Sequence, residues 1–275
     1  SIMETLKEAK DWIIDNNYNG MVISSDSKNF SAGANLNMIL DFAEKKDYDS
    51  LENVIDLMQG LMQELRFAPF PVVAAPFGLV LGGGFETIGA CDRIVASAES
   101  YIGLVEVGVG LIPGAGGNLR MISRLTKKIN TMVPGAFPIV QKAFETIGYA
   151  KVSFSAKQAQ GYGYLQKDDI IVNNRDYLLS TAKDTAINMS DDYKTPEVES
   201  FKLPGVSGRL AISTMVKGLV KTKKLSEHDA LIAEKLSYVL TGGEKGGPFS
   251  PVDEQYLLDI EREAFISLCG EQKSI

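Results

Sequence analysis

This chain is poor in the residues from which metal centres and disulfide frameworks are built. Its two cysteines, Cys91 and Cys269, lie far apart in sequence, so no disulfide framework and no metal-ligand spacing can be read. The single histidine, His228, sits in Ser226-Glu227-His228-Asp229, a capping-box pattern that places it in an exposed first helical turn. A histidine-based triad and a zinc site are thereby excluded, and the sequence predicts no metal. Apolar runs approaching the roughly 20 residues of a membrane span are missing, as is a charged-then-apolar leader segment. The expectation is a soluble, cytoplasmic protein with no membrane partner. Positive charge is also in deficit: a net charge of -7 argues against broad nucleic-acid binding, which needs an extended basic surface. The one dense basic stretch, Lys217, Lys221, Lys223 and Lys224, reads equally well as a solvated helix end or as a local phosphate contact.

What the chain does have is length and apolar content. With 275 residues, 45% of them hydrophobic, it can bury a large core, as one large domain or as a domain with a helical annex. Met3, Leu6, Ala9, Ile13 and Ile14 recur at helical spacing, and Asn19-Gly20 closes that helix before a short apolar strand at Met21. If Gly20 takes positive φ there, Gly20→Ala costs stability. Leu36 to Lys46 and Leu51 to Phe67 read as helices, and Pro69 and Pro71 force an extended entry to Val72-Val73-Ala74-Ala75. A further strand is expected at Asp169-Ile170-Ile171-Val172 and a helix from about Arg175 to Met189. Thr195-Pro196 and Leu203-Pro204-Gly205 mark a composition break, beyond which the pattern reads as entirely helical. The boundary is placed near residue 200, dividing an α/β core (1–200) from a helical C-terminal subdomain (201–275).

Two glycine-rich loops each carry one glutamate: Glu86 in Gly82-Gly83-Gly84-Phe85-Glu86, and Glu106 ahead of Pro113-Gly114-Ala115-Gly116-Gly117. Glycine runs let backbone approach a ligand closely, and a carboxylate beside each run puts acid-base chemistry where amide N–H groups are exposed. Either loop alone is more often a tight turn, with the glutamate favoured by the helix dipole. A third small-residue loop, Lys28 to Asn35, follows the strand Met21-Val22-Ile23 and opens another helix. A dinucleotide-binding glycine motif, with an acidic residue about 20 positions on, is not found in this segment.

Together these residues resemble the crotonase superfamily, the enoyl-CoA hydratases and isomerases. Asn29-Phe30-Ser31-Ala32-Gly33-Ala34-Asn35-Leu36 is similar to its first oxyanion loop, Pro71 through Cys91-Asp92 to its second, and Ile112 through Arg120 to its third. The tail Leu257 to Phe265 resembles the hydratase module at the C-terminal end of bacterial enzymes that join it to a 3-hydroxyacyl-CoA dehydrogenase.

The resemblance implies a ββα spiral core and hydration of a 2-enoyl-CoA in fatty-acid β-oxidation. The N–H groups of Ala34 and Gly83 would hold the thioester oxygen, Glu86 would orient and activate water, Glu106 would handle the proton at C2, and Gly114 N–H would contact the water. Ala32 and Leu36 are assigned to CoA binding, although Asn35 and Asn37 stand where many members carry Asp and Lys. Acyl-CoA is then substrate, no cofactor belongs to this segment, and NAD would serve only an upstream dehydrogenase. Members normally have a leading strand pair before the first helix, so Ser1 is expected not to be the domain's natural start. A homo-oligomer, trimer or hexamer, is also implied. The rival readings are a Δ3,Δ2-enoyl-CoA isomerase, which needs one carboxylate at the Glu106 position, and a non-catalytic acyl-CoA-binding or assembly module. The stretch 129–138 departs from the usual length, either shaping the acyl pocket or serving as a loop.

Overall fold

The computed structural model describes residues 2–129 and 135–274. Half of the 129–138 stretch, residues 130–134, thus lies outside the described residues. The chain opens with α1 (Ile2–Asp15), β1 (Met21–Ile23), α2 (Leu36–Glu44), α3 (Tyr48–Arg66), β2 (Val72–Ala74), β3 (Gly78–Leu81) and α4 (Gly83–Ala90). There follow β4 (Arg93–Ser97), β5 (Ser100–Gly103), a 3-10 turn (Glu106–Val109), α5 (Gly117–Ile129), α6 (Phe137–Gly148), α7 (Ala156–Tyr162) and β6 (Ile170–Val172). A second 3-10 turn (Arg175–Tyr177) leads into α8 (Leu178–Ser190), β7 (Ser200–Phe201), α9 (Gly205–Lys221), α10 (Glu227–Leu240), β8 (Val252–Asp253) and α11 (Glu254–Cys269). This is the expected mixed α/β class.

The packing divides the chain into two compact units that alternate along the sequence: residues 1–33, 57–103 and 152–197 in one, 34–56, 104–151 and 198–275 in the other. One of the crossings, at Glu197–Val198, falls beside the Thr195-Pro196 break.

The first unit is built on a parallel sheet in the order β1-β2-β4-β6, with Met21 opposite Val72, Val73 opposite Arg93 and Val95 opposite Ile170. Parallel strands need long crossovers, and the β2-to-β4 crossover carries β3 and α4. β2 is buried throughout, as a central parallel strand covered on both faces must be. On one face Val73, Ala75, Phe77 and Val95 pack with Leu178 and Ala182 of α8. β3 and β5 form a second parallel pair, Gly78 opposite Ser100. Asp92, just after α4, accepts from Val72 N–H at 2.8 Å and from the Tyr193 hydroxyl at 3.2 Å, and burial raises its carboxyl above the usual range.

The second unit contains α5, α6, α10 and α11, the face of α5 from Leu119 to Leu125 being buried. The part beyond residue 206 is not wholly helical: Ser200–Phe201 pairs antiparallel with Val252–Asp253. Two-residue strands are too short to leave a period in the sequence.

Gly20 also departs from expectation. α1 ends in a Schellman turn, with Tyr18 N–H on Ile13 C=O, Asn17 N–H on Ile14 C=O, and Asn17 at φ 56° as the left-handed residue. Gly20 is not among the positive-φ residues. A side-chain carbon there would meet Ala186 at 3.5 Å, an ordinary contact.

Candidate active site

In the first unit, the loop after β1 is fastened along β3. Phe30 N–H bonds Phe77 C=O, Ser31 N–H bonds Leu79 C=O, and Leu81 N–H returns to Ser31 C=O, all at 3.0 Å. The Asn29 side chain accepts from Leu79 N–H at 3.1 Å, and the space for a side chain on Gly78 (φ 58°) is filled by that Asn29 oxygen, 2.6 Å away. Ser31 likewise fills the space at Gly84. The glycines here are thus required by the close passage of one loop against another. Ala32 is exposed and lies in this stitched loop, beside Gly33 at φ 103°.

β3 runs into Gly82 (φ 53°), and α4 begins at Gly83 as expected. Phe85 and Glu86 N–H groups turn back to Gly82 C=O, and the Gly83 carbonyl accepts from Thr87 Oγ at 2.9 Å. Among the described residues no hydrogen bond occupies the N–H of Gly83, one of the first-turn donors for which an α-helix has no intrahelical acceptor. The preceding residue of the helix pattern matters too: Phe85 packs edge-on to Tyr164 at 4.8 Å between ring centroids, locking the first turn. Glu86, 3% exposed, sits in that turn, where the helix dipole favours an anion.

In the second unit, Ala34 and Leu36 are exposed at the start of α2, whose N-cap Asn35 accepts from Asn37 N–H at 3.1 Å. Asn35 and Asn37, the departures from the family pattern, thus form a local cap. Among the described residues no hydrogen bond occupies Ala34 N–H. Glu106 opens the 3-10 turn that ends in Gly110 at φ 82°, and one of its carboxylate oxygens is buried. The chain continues directly into 111–120, every residue of which is buried, including Gly114. Asn118 of α5 donates to Pro113 C=O at 3.2 Å and so closes this loop on itself.

The structure accordingly brings Ala32, Gly83 and Glu86 into one stitched segment of the first unit, and Glu106 and Gly114 into one continuous segment of the second. Sequence reasoning missed the groups that hold these segments: Asn29 and Ser31 in the first, and Glu261 in the second, which accepts from Gly116 N–H. His228 is half-buried, its Nε2 at 3.0 Å from Ser274 Oγ, and serves no candidate chemistry. Lys217, Lys221, Lys223 and Lys224 are exposed. Among the described residues no group of three or more His, Cys, Asp or Glu side chains is placed to hold a metal, and no helix is long and apolar enough to cross a membrane.

Comparison with known proteins finds sequence relatives, solved structures of like fold and a matching family. A probable 3-hydroxyacyl-CoA dehydrogenase of Bacillus subtilis (strain 168) is 45% identical over 262 residues, covering 94% of this chain and 32% of that protein. The chain spans about a third of the length of the curated relatives it matches. Among solved structures, an enoyl-CoA hydratase from Bacillus anthracis shares the fold at TM-score 0.56 and 23% identity, over 86% of this chain and 78% of that one. A carnitinyl-CoA dehydratase from Mycobacterium thermoresistibile does so at TM-score 0.68 and 16% identity, over 98% and 78%. The profile of the family described as enoyl-CoA hydratase/isomerase matches residues 2–139, which include the first two loops, both glutamates and the third loop, and this chain is a member of that crotonase family.

Proposed function

We propose that this chain is an enoyl-CoA hydratase, adding water across the double bond of a 2-enoyl-CoA thioester. The observation that carries the reading is the presence of two glutamates at glycine loops: Glu86 in the first turn of α4 just after Gly82, and Glu106 opening the 3-10 turn that leads to the Pro113–Gly117 loop. In the proposed reaction Glu86 takes a proton from water as its oxygen bonds to C3. The electron pair of the double bond moves to the thioester oxygen, held by the N–H groups of Ala34 and Gly83, and C2 then takes its proton from Glu106. Gly114 N–H holds the water. Each such oxyanion donor is worth about 2.7–4 kcal/mol of barrier. The isomerase reaction needs only the Glu106 carboxylate, so the presence of Glu86 favours hydration.

Ala32 and Leu36 are proposed to meet the CoA moiety, and the protein to act as a homo-oligomer in the cytoplasm. The name of the Bacillus subtilis relative, with the share of its length matched, supports a longer protein in which this chain supplies hydration and other sequence supplies an NAD-dependent 3-hydroxyacyl-CoA dehydrogenase.

The test is loss of the conjugated thioester absorbance of crotonyl-CoA with Glu86→Gln, Glu106→Gln and the double variant. Each single change should fold and lower turnover by about 10²–10⁴-fold, and the double should be little worse than the worse single, as for residues acting as a unit. Near-normal turnover in Glu86→Gln would sink the hydratase reading. Isomerisation of a 3-enoyl-CoA that survives Glu86→Gln but not Glu106→Gln, without hydration in the parent protein, would establish the isomerase instead.

A further inference from the structure

α11 carries acids in the stripe where an amphipathic helix carries leucines. Glu254, Leu257, Leu258, Glu261, Phe265 and Leu268 recur at three- and four-residue spacing and are all buried. An ionised carboxylate is expensive to bury unless its oxygens are satisfied. Glu261 is fully buried, and its two oxygens accept from the backbone N–H groups of Gly116 at 2.5 Å and Asn118 at 2.9 Å. These are the groups flanking the start of α5, where the helix dipole also favours a negative charge.

The same face of α11 moulds the rest of the loop. Leu258 lies 3.5 Å from where a side chain on Gly116 (φ 105°) would begin, and the Phe265 ring lies 2.8 Å from where one on Gly114 would begin. Asn118, held at its N–H by Glu261, closes the loop through its side chain onto Pro113 C=O. Three successive contacts along α11 therefore fix Gly114, Gly116 and Asn118.

We propose that Glu261 is a positioning residue of the hydration reaction, holding the Pro113–Asn118 loop so that Gly114 N–H is aimed at the attacking water. The inference rests on the role given to Gly114 above. A carboxylate is required because both partners are donors. A glutamine keeps the volume but turns one acceptor into an NH₂ group facing another N–H.

The experiment uses the whole chain with Glu261→Gln and Glu261→Asp, the latter retaining the charge but too short to reach both amides. In Glu261→Gln, amide hydrogen exchange across residues 111–119 should rise about tenfold or more, and kcat on crotonyl-CoA should fall about 10²-fold with KM within about threefold. The pH profile of kcat should keep its shape, because Glu86 and Glu106 are unchanged. Glu261→Asp should fall between, and it decides the matter if Glu261→Gln does not fold. Val140→Ala, which thins a buried contact of α6, is the comparison: it should lower Tm without lowering turnover per folded molecule. Unchanged exchange in the loop, or a kcat loss no larger than that of Val140→Ala at matched stability, overturns the proposal. If the parent protein does not hydrate crotonyl-CoA, the proposed function fails, and the exchange measurement alone decides whether Glu261 holds the loop.

Discussion

At position 84 the chain has no room for a methyl group. A side-chain carbon on Gly84 would stand 2.8 Å from Ser31 Cβ, in a helix turn fastened to the loop that carries Ser31. Its backbone is not in the positive-φ region, so the obstruction is steric alone. Gly84→Ala should cost about 1–3 kcal/mol by overpacking and should lower turnover as well, since the displaced turn carries Gly83 and Glu86. Gly20→Ala, with ordinary contacts and no positive φ, should be neutral or add about 0.4–1 kcal/mol by restricting the unfolded chain. Thermal melting and crotonyl-CoA turnover of the two variants check both statements. A Gly84→Ala protein with unaltered melting and turnover would show that the two loops can separate freely. Features set by local sequence were legible: Glu86 and Glu106 stand near glycine runs, and each lies in the first turn of its helical element. Glu261 was not, because its partners at Gly116 and Asn118 are 145 and 143 positions away. A trace was present, since an acid at an apolar-stripe position of a helix signals a buried partner.

Among the elements, α10 is the one whose start was written most plainly. Ser226 Oγ accepts from Asp229 N–H at 3.0 Å, and Asp229 Oδ2 accepts from Ser226 N–H at 2.8 Å, completing the capping box read from the sequence. The Ser226 backbone N–H, and then its hydroxyl, hold the Asp229 carboxyl below its ordinary range. A depressed carboxyl gives stability that is present above its unfolded value, about 3.9, and is lost as pH falls through the folded one. Asp229→Asn should therefore reduce Tm near neutral pH and flatten this part of the loss below about pH 4. Ser226→Ala should cost about 1 kcal/mol near neutral pH and keep most of the acid limb, because the Ser226 backbone N–H still holds the Asp229 carboxyl. Melting curves across the acid range would distinguish the two, and an Asp229→Asn protein with the parent's acid limb would remove Asp229 from the account. Periodic segments such as α1 were legible for the same reason that this cap was: the signal lies within one turn or one stripe. β7 and β8 were not, because two residues paired across some fifty positions carry no local pattern.

For the whole molecule, the division at residue 200 and the division by packing make different predictions about a fragment. The C-terminal helices pack with 34–56 and 104–151 in one unit, so the core of that unit is assembled from three separated stretches of sequence. Composition changes along a chain can mark where a stretch begins, but they cannot show which earlier stretch it will bury. Cutting the chain after Glu197 would remove Glu261 from the amides of Gly116 and Asn118, and Glu254 from Arg120, whose guanidinium stands 3.5 Å away with both side chains buried. Breaking one such buried pair typically costs about 3–5 kcal/mol, a large part of the 5–15 kcal/mol that holds a typical domain. The cut would also uncover the apolar face of α5, at Leu119, Ile122 and Leu125. The fragment 1–197 should therefore fail to melt cooperatively and should aggregate, and a fragment 198–275 should not fold by itself. Mixing the two should restore the fold only if they find each other before aggregation does, so co-expression is the fairer assay and recovery of crotonyl-CoA turnover its readout. A cooperative melt from 1–197 alone would instead make the C-terminal helices an annex on an independent core.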